Sequence, residues 1–282
     1  MKRRTFIAAK RGTIGEAVAS ALGMSSADAN GLVSAGAVYL AGRRCRDAST
    51  PVSQGDPIIA VLEESGRAAA PAAGARSLVV LHEDARLIAV DKPAGVLAQP
   101  GPSGGENLLE LVSKRLGREA GLVHRLDRET SGVTVFGKTR EATSELAALF
   151  REGKAKKRYL AVVASGVLPE RGEIDLPLSR DPSRPGRWRA TRKANGIDAF
   201  TRFELVEQGA VTLVALMPET GRTHQLRAHL TALGAPIAGD RLYGGDPSAP
   251  RCLLHAQRLK LGELELEAPV PDDMTSFLKR AG

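Results

Sequence analysis

The stretch GLVHRLDRETSGVTVFGK, residues 121–138, decides how this chain is read. Its opening residues alternate. Leu122, His124 and Leu126 fall on one face of an extended segment, and Val123, Arg125 and Asp127 on the other. A strand over 121–127 therefore sets Arg125 and Asp127 side by side. Glu129, Thr130, Ser131 and Gly132 then read as a tight turn, after which GVTVFGK resumes as a strand. A carboxylate at a strand end beside a turn is a common setting for catalytic groups. The same arrangement also suits a structural Arg–Asp pair that closes the turn, so this stretch alone leaves both readings open.

The neighbouring segments supply a framework. Upstream, SLVVLHEDARLIAV predicts two strands around a His82–Arg86 turn, and DKPAGVLAQPGPSGGEN a loop rich in Pro and Gly. Residues 107–116 have a helical apolar stripe of Leu108, Leu109, Leu111, Val112 and Leu116. Downstream, Thr139 caps a helix running to Phe150 and closed by Gly153. RYLAVVAS reads as a strand, and FTRFELVE with VTLVALMPE as a hairpin through Gln208–Gly209. Thr223 starts a helix that Gly234 and Pro236 end. Many short strands joined by hairpins, with helices between, predict an α+β domain with a mixed, mainly antiparallel sheet.

Residues 64–77, ESGRAAAPAAGARS, lack the apolar content to offset ordering entropy and are read as a linker. They separate a module at 1–63 from a larger domain at 78–282. The module predicts one helix from Thr13 to Leu22 and a second capped by Ser25–Ser26 and ending near Gly36. Two strand-like runs follow, AVYLAGRR and DPIIAVLE.

Composition bounds the function. The chain has 282 residues, 43% of them hydrophobic, which is enough for a packed core and excludes a disordered chain. No uncharged apolar run approaches the roughly 18 residues of a membrane-spanning helix. The basic start, MKRRTFIAAKRG, has too short an apolar run for a secretory signal, so a cytoplasmic setting is expected. Cys45 and Cys252 form no metal-ligand cluster. The net charge of +8 favours a polyanionic partner. That excess is concentrated: residues 151–158 hold five basic residues against one acid, and residues 180–193 hold six against one.

Five motifs in order resemble the RluA branch of the pseudouridine synthases. They are DKPAG at 91–95, HRLDRETSG at 124–132, KKRYLAVV at 156–163, GEIDLPLSRDP at 172–182 and GRTHQLRAHL at 221–230, the last followed by GAPIAGDRLYGG. The resemblance covers residues 78–282. One departure is AQPG at 98–101, where members often carry Val-His-Pro-Gly. The module's run SAGAVYLAGRRCRDASTPVSQGDPIIAV resembles the RNA-binding domain of ribosomal small-subunit protein four. It departs in having no Lys or Arg over 14–35, where such helices usually carry phosphate-binding charge.

The resemblance implies isomerisation of uridine in ribosomal or transfer RNA to pseudouridine, by a monomer without cofactor or metal. Asp127 is then the group that acts at the sugar, as nucleophile or as base. Arg222 is implied to be its buried cationic partner. Tyr159 is implied to stack on the detached base, with its hydroxyl favoured for proton transfer. Arg125 is implied to fill the space left when the target base leaves the stack. His124, Arg128, Thr130, Lys92, Lys157, Arg158, Gln225, Arg227 and Trp188 are expected to contact substrate RNA. His224 joins them, read as a structural hydrogen-bonding group and not as a proton shuttle.

Overall fold

The computed structural model describes residues 2–34, 36–41, 43–62, 78–101, 106–164, 168–192 and 196–281. The expected linker at 64–77 lies outside them, as does Lys193 at the end of the second basic run. Contacts divide the chain into two compact units, one of Met1–Ser77 with Pro100–Asn107 and one of Leu78–Gln99 with Leu108–Gly282.

The first unit comprises β1 (Lys2–Ile7), β2 (Gly12–Thr13), α1 (Ile14–Leu22), α2 (Ser26–Ser34), β3 (Val38–Leu40), β4 (Arg43–Cys45), β5 (Pro51–Val52) and β6 (Pro57–Leu62). Four strands make an antiparallel sheet in the order β1–β6–β3–β4. Thr13 opens α1 through a capping box with Glu16, and Gly23 closes it in the left-handed conformation. Ile14 and Val18 of α1 and Ala29, Leu32 and Val33 of α2 share a core with Val38, Ile58 and Ala60. Strand β1 was not expected. Its run of Lys2, Arg3 and Arg4 hides the strand pattern, which only the pairing with β6 reveals.

The second unit comprises β7 (Val79–Glu83), β8 (Leu87–Lys92), α3 (Leu108–Leu116), β9 (Gly121–Leu122), β10 (Ser131–Gly137), α4 (Arg140–Arg151), β11 (Ala155–Ala164), β12 (Arg171–Asp175), β13 (Leu178–Arg180), β14 (Trp188–Ala190), β15 (Phe200–Gln208), β16 (Val211–Pro218), α5 (Gln225–Ala232), β17 (Leu254–Leu261), β18 (Leu264–Glu267) and α6 (Asp272–Ala281). Its main sheet runs β12–β15–β16–β11–β17–β10–β8–β7, with β18 on β17 and β9 on β10. Among the described residues every ladder is antiparallel except a short parallel contact between β10 and β17. The expected α+β class with a mixed, mainly antiparallel sheet is found.

Strand β10 is buried along its whole length. Val133 and Val135 face a cluster with Leu146 of α4, while Phe136 packs with Leu108 and Val112 of α3. A strand covered on both faces reads as a continuous apolar run. At its start, Gly132 has φ of 114°, and a Cβ there would sit 2.2 Å from the Ala256 carbonyl oxygen. Only glycine lets β10 meet β17 at this point. The turn before β10 is thereby pinned against a strand more than a hundred residues away in sequence.

Candidate active site

The expected strand over 121–127 is confined to β9, Gly121–Leu122. His124 explains the break. Its Nε2 accepts a hydrogen bond from the Val135 N–H at 3.1 Å, and its ring stacks on Phe150 with centroids 4.5 Å apart. The imidazole thus takes a ladder donor that a neighbouring strand would have used. Burial holds its pKa down to about 3, so the ring is neutral. His124 anchors the segment to β10 and Phe150, and it also lines the cavity that Asp127 borders.

Beyond it the chain turns over Asp127, whose carbonyl accepts from the Thr130 N–H. The DKPAG loop clasps this turn from below. Lys92 is fully buried, and its Nζ donates to the carbonyls of Pro93, Val96 and Arg128 at 3.0, 2.7 and 3.0 Å. Burial lowers its pKa to about 7 against the pull of Glu129 and Asp127. The Arg128 Nε donates back to Gly95. Lys92 and Arg128 therefore tie two loops together and lie outside the cavity lining.

Asp127 itself borders a cavity of about 540 Å³. Arg125, Thr130, Lys157, Tyr159, Arg222, His224 and Arg227 also line it. That volume suits a small organic group such as a nucleoside. Lys157 and Tyr159 lie on the same face of β11, two positions apart, with Lys157 donating to the Thr220 carbonyl at 2.9 Å. Burial lowers the Lys157 pKa to about 8. Burial, reinforced by the Asp127 charge, raises that of the Tyr159 hydroxyl. Arg125 is exposed at the rim.

The carboxylate's cationic partner differs from the expectation. Arg222 does not pair with Asp127. It stands before α5 with its side chain at the cavity mouth, its Nε donating to the Asp198 carbonyl at 2.9 Å. Arg227, three residues beyond His224, fills that place. Its NH1 donates to Asp127 Oδ2 at 3.2 Å. Its Nε and NH2 grip Asp240 in a two-pronged pair at 2.7 and 2.9 Å. Its guanidinium also lies 4.9 Å over the Tyr243 ring. Asp240 is 1% exposed and accepts further from the Leu242 and Tyr243 N–H groups. A planar fork held by one buried carboxylate presents its remaining edge to the other.

Two other expected contacts, Arg158 and Trp188, are redirected, whereas Gln225 lines the cavity. Arg158 points to the opposite face of β11, where it bonds Gln257 and lies 3.7 Å from Glu204. Gln225 is buried and spends its amide on Phe200, Thr201, Thr220 and the Arg222 N–H. Trp188 lines a separate hollow with Arg180 and Arg189. Asp240 and Tyr243 were missed, although the quoted run GDRLYGG contains both. Two acidic or aromatic residues in a Gly-rich loop carry no spacing signal for a partner on a helix.

His224 precedes α5 in the left-handed conformation, with φ of 56°. Its Nδ1 meets the Tyr243 hydroxyl at 3.1 Å, and its Nε2 lies 3.8 Å from Asp127 Oδ2. Among the described residues no cluster of His, Cys, Asp and Glu is arranged to hold a metal, and no helix is long and apolar enough to cross a membrane.

A model of the RNA pseudouridylate synthase family matches residues 86–232, which include Asp127, Tyr159, His224 and Arg227. The chain is 40% identical over 225 residues to the ribosomal large subunit pseudouridine synthase D of Nitrosomonas europaea, covering 72% of this chain and 64% of that relative. It thus spans slightly under two thirds of that relative's length. It is 43% identical over 193 residues to the dual-specificity RNA pseudouridine synthase RluA of Escherichia coli K12, covering 65% of this chain and 86% of that one. Human RNA pseudouridylate synthase domain containing 4 superposes with a TM-score of 0.62 at 28% identity, over 72% of this chain and 92% of that one. A carboxylate turn clasped from below, faced by a tyrosine and braced by an arginine, is thus found in a chain that belongs to the RNA pseudouridine synthase family.

Proposed function

We propose that this chain converts uridine to pseudouridine in a structured RNA, with Asp127 as the group that acts at the sugar. The single observation that carries this is the placement of Asp127 on the cavity wall, paired with Arg227 and facing Tyr159. The reaction breaks the bond from the sugar to a base nitrogen and joins a base carbon to the same sugar carbon. One carboxylate serves either route, by attacking the sugar carbon or by removing the neighbouring sugar proton. Tyr159 supplies a flat surface for the detached base, and Arg125 at the rim fills the gap that the extruded base leaves.

Ribosomal RNA is the favoured substrate, in line with the relative named for the large ribosomal subunit, and transfer RNA is the alternative. The first unit acts as a small RNA-contacting module resembling that of ribosomal small-subunit protein four. Its exposed Lys10, Arg11 and Arg46 supply charge while its two helices contribute none. The chain works as a cytoplasmic monomer. A non-catalytic RNA-binding role is the rival reading.

Pseudouridine mapping of total RNA, with and without the gene, identifies the modified uridine. Asp127→Asn keeps the shape and removes the charge. It should abolish tritium release from RNA labelled at the reacting base carbon, while RNA binding stays within a few-fold. Activity of Asp127→Asn within tenfold of wild type would remove Asp127 from this role.

A further inference from the structure

The reaction also requires that the base carbon joined to the sugar lose its hydrogen. Asp127 is held at the sugar end of the cavity by its pair with Arg227, and His224 lines the same cavity with its Nε2 3.8 Å from that carboxylate. We infer that His224 is the group that removes this hydrogen, its Nε2 taking the proton from the base carbon that has just joined the sugar. This inference rests on the pseudouridine synthase reading.

The geometry fixes which nitrogen is free. The Tyr243 hydroxyl lies 2.8 Å from the Trp188 carbonyl, to which it donates, and it accepts from the Trp188 N–H at 3.0 Å. Having one proton, already given to that carbonyl, it can only accept from His224 Nδ1 at 3.1 Å. Nδ1 therefore carries the hydrogen, and a neutral His224 turns the lone pair of Nε2 toward Asp127 and the cavity. The side chain is 17% exposed, and that exposure opens on the cavity. The backbone at His224 is held at φ of 56°, a costly conformation for a residue with a side chain and one concentrated at functional sites.

The charges around the ring suit the task. Burial lowers its pKa, Asp127 and Asp240 act to raise it, and Arg227 and Arg125 act to lower it. Tyr243 is itself held protonated, its pKa pushed up to about 12 by burial. The ring is thus neutral and ready to accept at neutral pH. Tyr159, by contrast, is kept in its protonated form and is a poor acceptor.

The step balances. Nε2 takes the proton, and the electron pair of the broken C–H bond restores the ring double bond. The π electrons of the adjacent C=N bond move onto the ring nitrogen freed from the sugar. That nitrogen then takes a proton, which the imidazolium can return, so the sum is an isomerisation. The imidazolium formed in between lies beside Asp127, whose carboxylate is free again once the new bond has formed.

The test uses His224→Asn, because asparagine tolerates the left-handed conformation and can still reach Tyr243 but cannot act as a base. Full-length wild type, His224→Asn and Asp127→Asn are compared on RNA carrying uridine, uridine deuterated at the reacting carbon, or 5-fluorouridine. The fluorine removes the proton to be lost, so rearrangement of that substrate reports only the earlier steps. His224→Asn should turn over uridine about 100-fold more slowly. It should gain a deuterium isotope effect absent from wild type, and it should rearrange 5-fluorouridine at the wild-type rate. It should also lose the acid limb of the wild-type pH–rate profile. Equal slowing on both substrates, or uridine turnover within threefold of wild type without an isotope effect, would overturn the role. Failure of wild type to form pseudouridine, or an active Asp127→Asn, would instead strike the underlying reading. His224→Gln repeats the comparison if the Asn variant does not fold.

Discussion

At the scale of single residues, the Asp127 carboxylate is governed by a neighbour that serves two masters. Arg227 satisfies buried Asp240 with two of its prongs and Asp127 with the third. Neither carboxylate could be replaced without leaving the guanidinium partly unpaired, and a lysine could not span both. Part of this was legible. The residue types, Asp127 and an arginine from GRTHQLRAHL, follow from the motifs. Which arginine pairs was not legible, because the choice depends on where α5 begins. The helix starts at Gln225, which turns Arg227 inward and leaves Arg222 in the turn before it, exposed. A similar limit applies to Tyr159. Sequence reasoning favours proton transfer by its hydroxyl, yet burial beside Asp127 raises that hydroxyl's pKa and makes a phenolate costly. Tyr159→Phe should therefore keep turnover within about tenfold of wild type. Tyr159→Leu should lose the roughly 1–3 kcal/mol of base stacking together with most activity. Single-turnover rates for the two variants measure the split. A dead Phe variant that still binds RNA would restore the hydroxyl to the chemistry.

At the scale of elements, strand assignments made from alternation survived wherever a partner strand supplied the ladder, as in the β7–β8 and β15–β16 hairpins. Alternation failed at 121–127, because a side chain took the place of a strand. That substitution has a pH signature. Burial keeps His124 neutral in the folded protein down to about 3, whereas the unfolded chain binds a proton below the ordinary value of 6.5. The unfolded state thus holds more protons between these values, and stability falls as the pH drops through that window. The slope approaches about 1.4 kcal/mol per pH unit for one group. His124→Gln keeps an acceptor for the Val135 N–H and does not titrate. Urea unfolding at pH 7 and pH 5 should show the variant less stable at the higher pH. It should also lose less stability than wild type on acidification. Parallel losses in both proteins would show that other groups carry the acid sensitivity.

At the scale of the whole molecule, every residue assigned to chemistry belongs to the second unit, while basic residues lie in both. A chain beginning at residue 78 should therefore fold by itself and convert uridine, with RNA affinity lowered only modestly. Circular dichroism and tritium release on the truncated chain check both halves of that expectation. A folded but inactive fragment would make the first unit essential to docking.

The short parallel contact of β10 with β17 has a consequence for how the protein comes into being. Ser131 pairs with His255 and Gly132 with Ala256, and Asp127 meets Arg227 from a hundred positions away. During synthesis the chain displays its whole HRLD motif long before the strand that pins it has left the ribosome. Contacts of such long sequence separation form late in folding. Activity should therefore arrive in a single step near the end of translation, so that a growing chain does not work on RNA around it.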